Sequence, residues 1–163
     1  METPVLTGSK IKLVPCKNGS WHEFYKNYVS DPMMDPTPYE YNYSDCENAF
    51  HRKTNDNTRQ YFSIIRENNV VGEIYLKHMD KENKTTEFGI ALTNDSVKGN
   101  GYGSQAIQLL VDYVFSVLML DKITACSVIR NVRSQHILNK VGFVFSHEDS
   151  KFKHYILNKN CAK

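Results

Sequence analysis

Three glycines, Gly99, Gly101 and Gly103, fall within five positions just ahead of a long apolar run. Alternate glycines suit a turn in which a Cβ would clash, or a backbone that something approaches closely. At the start of a helix the free N–H groups converge, and the helix dipole favours an anion, so a phosphate group is the natural guest. Two familiar phosphate loops do not fit. A P-loop places Lys and then Ser or Thr directly after its last glycine, and no lysine stands there. A dinucleotide-binding turn needs its third glycine where Ser104 stands, and an acid at the end of the next strand, where the chain reads Val128-Ile129-Arg130. Other residues suited to chemistry are two glutamates in strand-like segments, Glu73 and Glu87. A run of aromatics and acids, from Trp21 to Tyr41, completes the set.

The surrounding pattern says what must position these groups. Residues 10–15 alternate and stop at Pro15, as a short strand does. Ser20–Glu23 and Ser44–Glu47 each read as a capping box opening a helix, the first running to about residue 30 and the second to about residue 53. Three prolines in residues 32–38 force a loop between them. Residues 60–66, 70–80 and 85–92 read as three strands joined by short polar turns, hence antiparallel hairpins. Beyond the glycines, Ile107, Leu110, Val111, Val114, Val117 and Leu118 mark one broad helical face over residues 105–119. Residues 122–129 form a strand, and 133–141 a short helix closed by Gly142. Residues 143–148 and 151–157 form a final hairpin. The result is one α+β domain over residues 1–163 around a largely antiparallel sheet. Strand alternation puts Glu87, Gly89 and Ala91 on one face, opposite Phe88, Ile90 and Leu92. If apolar faces match across the hairpin, Glu73, Tyr75 and Glu87 share a face, and that acidic face would attract a cationic amine. The alternative is that both glutamates are solvated or paired with Lys77. His78 is a second candidate base, although a lone strand histidine is commonly structural.

The run Lys98-Gly99-Asn100-Gly101-Tyr102-Gly103 resembles the Gln/Arg-x-x-Gly-x-Gly/Ala loop with which the GNAT family of N-acetyltransferases holds the pyrophosphate of coenzyme A. Here Lys stands where Gln or Arg is usual. Asn131-Val132-Arg133-Ser134, followed by Gly142-Phe143, is similar to a second signature of the same family in the same order. The resemblance covers roughly residues 9–158, and the layout is closest to the ribosomal-protein-acetyltransferase-like branch. It implies a mixed, mostly antiparallel sheet of about six or seven strands with splayed central strands and about four flanking helices. It implies acetyl transfer from acetyl-CoA to a primary amine by direct attack in a ternary complex, without a metal. Ile90, Ala91 and Leu92 would pair by backbone with the pantetheine arm, with Leu92 nearest the thioester. Lys98, Gly99, Asn100, Gly101, Tyr102, Gly103 and Ser104 would cradle the pyrophosphate. Asn131 would bond the arm, a role compatible with capping its helix, and Ser134 would sit near the phosphates. Glu87 ranks first as general base, ahead of Glu73. A Tyr that protonates the leaving thiolate in many members corresponds to Leu138 here, so Ser134 or water would donate, or the thiolate would leave unaided. A catalytically weak CoA-binding or sensory module of the same fold is the alternative.

The acceptor wall expected from the sequence is Trp21, Tyr25, Tyr28, Asp35, Tyr39 and Tyr75. Aromatics beside carboxylates suit a cationic amine, whether a polyamine, an aminoglycoside, an amino sugar or a protein N-terminus. Trp21, Tyr25 and Tyr28 also fit the buried stripe of a helix. A formal charge of +2 over 163 residues gives no case for nucleic-acid binding. The N-terminus lacks the apolar core of a secretory signal, and the longest apolar run is too short to span a bilayer. Cys16, Cys46, Cys126 and Cys161 stand singly, which argues against zinc and fits a reducing, cytoplasmic setting. A homodimer is the expected form of any self-association.

Overall fold

In the computed structural model, which describes residues 2–162, the chain runs β1 (Leu6–Thr7), β2 (Lys12–Pro15), α1 (Asn18–Asn27), α2 (Tyr43–Thr54), β3 (Gln60–Arg66), β4 (Asn69–Asp80) and β5 (Thr85–Leu92). It continues through α3 (Tyr102–Ser116), β6 (Lys122–Val128), α4 (Val132–Val141), β7 (Val144–Glu148) and β8 (Phe152–Asn158). The strands form one sheet in the order β1-β2-β3-β4-β5-β6-β8-β7. Among the described residues only the β5–β6 pair is parallel. The sheet has eight strands rather than the six or seven expected. The two residues of β1 are too few to leave a periodic signal. No helix among the described residues is long and apolar enough to cross a membrane.

The two faces of the sheet carry different cores. On one face Phe62 and Ile64 of β3, Ile74 and Leu76 of β4, and Val114 of α3 have no exposed surface. Burying such side chains contributes about 1.5–3 kcal/mol each, so this face holds the fold together. The other face presents Tyr61, Ser63, Glu73 and Tyr75 to α1 and α2, around a smaller cluster of Trp21, Cys46 and Tyr61. The turn between β3 and β4 is two residues, Glu67 and Asn68, both left-handed with φ 48° and 69°. That is the twist a two-residue hairpin requires.

Both helix starts differ from the capping-box reading. α1 begins at Asn18, and Ser20 lies inside it, accepting from the Lys17 N–H at 3.1 Å. Glu23 instead accepts from the Val70 N–H of β4 at 3.1 Å. α2 is capped by Asn42, whose side chain accepts from the Asp45 N–H at 3.0 Å, while Glu47 bonds Asn18 and His22. In both cases a partner distant in sequence claims the glutamate. At the other end of the chain, Gly142 closes α4 with φ 115°, and its N–H donates to the Leu138 and Asn139 carbonyls.

Candidate active site

Three residue pairs join β5 to β6, ending at Glu87 and Thr124. Beyond them the strands part. Phe88 to Leu92 pair only with β4, and Ala125 to Val128 only with β8. The two open edges face each other across a cavity of about 490 Å³. A strand edge with unused N–H and C=O groups is a template for an extended guest.

The mouth of this cleft is the glycine loop. Gly99 and Gly101 are left-handed, with φ 79° and 80°. α3 starts at Tyr102, earlier than its apolar face indicates, so Gly103 and Ser104 lie in its first turn. The first-turn N–H groups have no partner within the helix and point to the mouth. Ile90, Ala91, Leu92, Gly103, Ser104 and Asn131 all line the cavity. Asn131 also caps α4, its side chain accepting from the Ser134 N–H at 3.1 Å. Tyr102 is buried beneath the loop, with the Arg66 guanidinium over its ring at 5.3 Å. Asn100 is exposed, and its carbonyl accepts from Lys10 Nζ at 3.1 Å.

The cations around the loop are not distributed as the motif suggests. Lys98 Nζ is held at 3.1 Å by both Asp31 and Asp95, and its side chain is 13% exposed. It ties the glycine loop to the proline-rich segment after α1. Two cations that the sequence reading missed stand near the glycines. The Arg133 guanidinium lies 3.7 Å from where a Cβ on Gly99 would stand, and Lys10 Nζ lies 2.8 Å from the corresponding point on Gly101. Arg133 sits inside the Asn131–Ser134 signature, where its charge was visible. Lys10 had no signal, because a hydrogen-bonded contact brings it in. Gln105 of α3 accepts from the Lys10 and Ile11 N–H groups at 2.8 and 3.0 Å.

At the closed end of the cleft, Lys77 and Glu87 face each other across β4 and β5, and Lys77 Nζ lies 3.0 Å from the Glu87 carboxylate. His78 Nδ1 is 3.2 Å from its other oxygen. Glu73 and Tyr75 share the face with Glu87, as the alternation predicts. Glu73 is buried and accepts from the Tyr25 hydroxyl at 2.9 Å. Burial pushes its carboxyl up to about 7, against the opposing pull of the Tyr25 hydrogen bond and of Lys53. Lys53 lies over the rings of Trp21 and Tyr61 at 5.4 and 6.0 Å. Two carboxylates on one face are thus in different states: one dry, the other ion-paired at the cavity wall.

Of the expected acceptor residues, Tyr28 and Tyr75 line the cavity. Trp21 is 1% exposed, its indole N–H donating to the Cys46 carbonyl at 3.0 Å, so it supports the wall from beneath. Tyr39 packs against Tyr25 and Tyr28 with ring centroids 5.6 and 5.4 Å away. Asp35 lies on the exposed loop, where its side chain accepts from the Thr37 N–H at 2.9 Å. Ser134 lines the cavity from the first turn of α4, and Leu138 lines it from the same helix as an apolar wall.

The uncharacterised N-acetyltransferase YjdG of Bacillus subtilis is 33% identical over 106 residues, 63% of this chain and 62% of its own length. The spermidine N(1)-acetyltransferase of Vibrio cholerae is 26% identical over 108 residues, 66% of this chain and 61% of its own. The chain matches about three fifths of the length of these curated relatives. A solved spermidine N-acetyltransferase from Vibrio cholerae, in complex with CoA and spermine, superposes with a TM-score of 0.75. It covers 94% of this chain and 98% of its own at 20% identity, which shows the fold. A family model for an acetyltransferase (GNAT) domain matches residues 10–144, and the chain belongs to that family.

Proposed function

We propose that this chain transfers the acetyl group of acetyl-CoA to a primary amine by direct attack within a ternary complex. The splay of β5 from β6, ending in a glycine loop at a helix N-terminus, carries the reading. It combines an open strand edge for an extended amide-bearing arm with an anion site at its mouth. The residues present fit the cosubstrate. The edge at Ile90, Ala91 and Leu92 pairs with the arm, and the N–H groups of the loop and of Ser104 meet the pyrophosphate. Arg133 and Lys10 supply charge there, in place of the motif's Lys98, which Asp31 and Asp95 occupy.

The acceptor enters from the α1 side. Tyr28 and Asp31 near the mouth, and Tyr75 and Glu87 deeper in, line the cavity, so phenols and carboxylates flank the path of the incoming amine. This wall supports a cationic small molecule of the polyamine type, in keeping with relatives named for spermidine. A protein N-terminus, the acceptor implied by the ribosomal-protein-acetyltransferase-like branch, is the other amine of this reading. Glu87 takes the proton released by the amine, and Lys77 orients its carboxylate.

Titration calorimetry with acetyl-CoA, CoA and NAD tests the cosubstrate. Binding of the first two without NAD is the expected result, and no CoA binding leaves the glycine loop a plain turn. Release of CoA thiol with spermidine, compared with a peptide bearing a free N-terminus, then assigns the acceptor.

A further inference from the structure

Leu138, at the family's usual tyrosine position, is 3% exposed and part of the apolar core, so no donor reaches the cavity from there. Another phenol does. Tyr75 stands on β4 directly opposite Gly89 of β5. Its ring lies across that glycine, so that a methyl group built on Gly89 would overlap Cζ and the hydroxyl of Tyr75. Glycine at 89 is therefore the seat of the ring. Behind it, Tyr61 stacks on Tyr75 with centroids 4.8 Å apart and planes 24° from parallel. The ring is thus held from two sides. Its hydroxyl bonds to none of the described side chains. Because no buried side-chain oxygen among the described residues lacks a partner, that hydroxyl keeps accessible surface, and both Tyr75 and the Gly89 it covers line the cavity.

On the acetyl-transfer reading, the course of the cleft brings the reacting end of the cosubstrate to this hydroxyl. An arm anchored at the glycine loop meets Leu92 first, so Leu92 faces the arm and not, as the resemblance implied, the thioester. The arm runs on down β5 towards Glu87, where β6 closes the cleft. At about 3.3 Å per residue, Gly89 lies roughly 10 Å deeper than Leu92. We propose that Tyr75 is a catalytic residue, its hydroxyl donating a hydrogen bond to the thioester sulfur as the C–S bond breaks. The proposal rests on the acetyl-transfer reading and adds a donor to it. In the step, the amine lone pair forms the N–C bond and the C–S electron pair goes to sulfur. The proton shed by nitrogen passes to the Glu87 carboxylate and, through water, to the thiolate, so CoA leaves as the thiol and Glu87 is restored. Tyr75 keeps its proton throughout. Burial, and then the nearby Glu73 carboxylate, push the phenol well above its ordinary value and far above a thiol's ~8.5, which suits a donor that does not let its proton go.

Three other donors that line the cavity are committed elsewhere or sit at its mouth. Ser127 donates to the backbone carbonyls of Val128 and Asn131, both at 3.4 Å. Cys126 Sγ is directed at Glu87, 3.8 Å away. Tyr28 sits at the mouth beside Lys98 and Asp31.

Tyr75→Phe keeps the ring and its stack and removes only the donor. With acetyl-CoA and spermidine, kcat is expected to fall about 10²-fold. The acetyl-CoA Kd by calorimetry should stay within about twofold. Gly89→Ala, which displaces the ring, should lower kcat comparably, and the double variant should be no slower than the slower single one. Unchanged kcat in Tyr75→Phe overturns the proposal, as do losses that multiply in the double variant. Should Gly89→Ala not fold, Tyr75→Phe decides alone. A wild-type protein that binds no acetyl-CoA overturns the transferase reading instead, which separates the two failures.

Discussion

At the mouth of the cleft the groups facing a guest are mostly backbone: the open edge of β5, the left-handed Gly99 and Gly101, and the first turn of α3. At the closed end they are side chains: Glu87 paired with Lys77, Tyr75 across Gly89, and Glu73 behind Tyr25. Backbone recognition tolerates changes in side-chain identity and is sensitive to Cβ atoms and φ. Side-chain recognition has the opposite sensitivity. The same sheet therefore holds an end set by conformation and an end set by chemistry, and substitutions should separate the two.

The largest expected effect is at the closed end. Glu87→Gln should lower the acetyl-transfer rate about 10²- to 10⁴-fold, the usual contribution of a positioned base, with the acetyl-CoA Kd unchanged. A rate near wild type would move the base to Glu73 and blur the division, since the paired carboxylate would then be structural.

Glu73 offers the next test, through stability. Its folded carboxyl is raised from 4.5 to about 7 by burial. Between those values the folded state keeps a proton that the unfolded chain has lost. Stability is therefore fully present below about pH 4.5, falls as pH rises towards 7, and is flat above it. Full expression of that shift amounts to roughly 3 kcal/mol. Glu73→Gln keeps an acceptor for the Tyr25 hydroxyl without the charge. It should raise Tm by several degrees at pH 8 and by little at pH 4.5, as thermal melts at both pH values would read. An equal change at both pH values would mean that the carboxylate is not the source.

The end set by conformation was also the more legible in the sequence. Alternation in residues 60–92 gave three strands and the shared face of Glu73, Tyr75 and Glu87, because a period of two survives in half-buried strands. Gly142 and the glycine loop were legible because left-handed positions restrict residue type. Long-range partners were not. Glu23 and Glu47 carry the spacing of helix caps, yet one bonds Val70 and the other bonds Asn18 and His22, partners that local spacing does not contain. Lys98 followed the motif, but Asp31, 67 positions away, holds its ammonium. The row on which Tyr75 meets Gly89 needed the register of a hairpin, not only its faces.

Gly101→Ala should break the mouth alone. A side chain at φ 80° costs about 1–2 kcal/mol. The empty loop can relieve that strain by opening, and binding must restore it. Acetyl-CoA should bind about 5- to 30-fold more weakly. The kcat at saturating cosubstrate should change little. A fall in kcat with Kd unchanged would mean that the loop positions the thioester and not only the phosphates.

The smallest effects are the sharpest test of where the mouth ends. If Arg133 meets the phosphates, Arg133→Gln should raise the acetyl-CoA Kd by up to about fivefold, a modest value because solvent screens the pair. That deficit should shrink as salt rises from 0.05 to 0.5 M, where the Debye length falls from about 14 to about 4 Å. Lys98→Gln should leave that Kd nearly untouched, since Asp31 and Asp95 already engage its ammonium. What it releases is the segment carrying Asp31 and Met34, which line the cavity on the side proposed for the acceptor. The amine KM should rise a few fold, and amide exchange over residues 29–38 should quicken. If Lys98→Gln weakens acetyl-CoA more than Arg133→Gln does, the motif lysine is a phosphate ligand after all. Its pairing with Asp31 would then be a resting contact that the cosubstrate displaces, and the two ends of the cleft would be coupled through it.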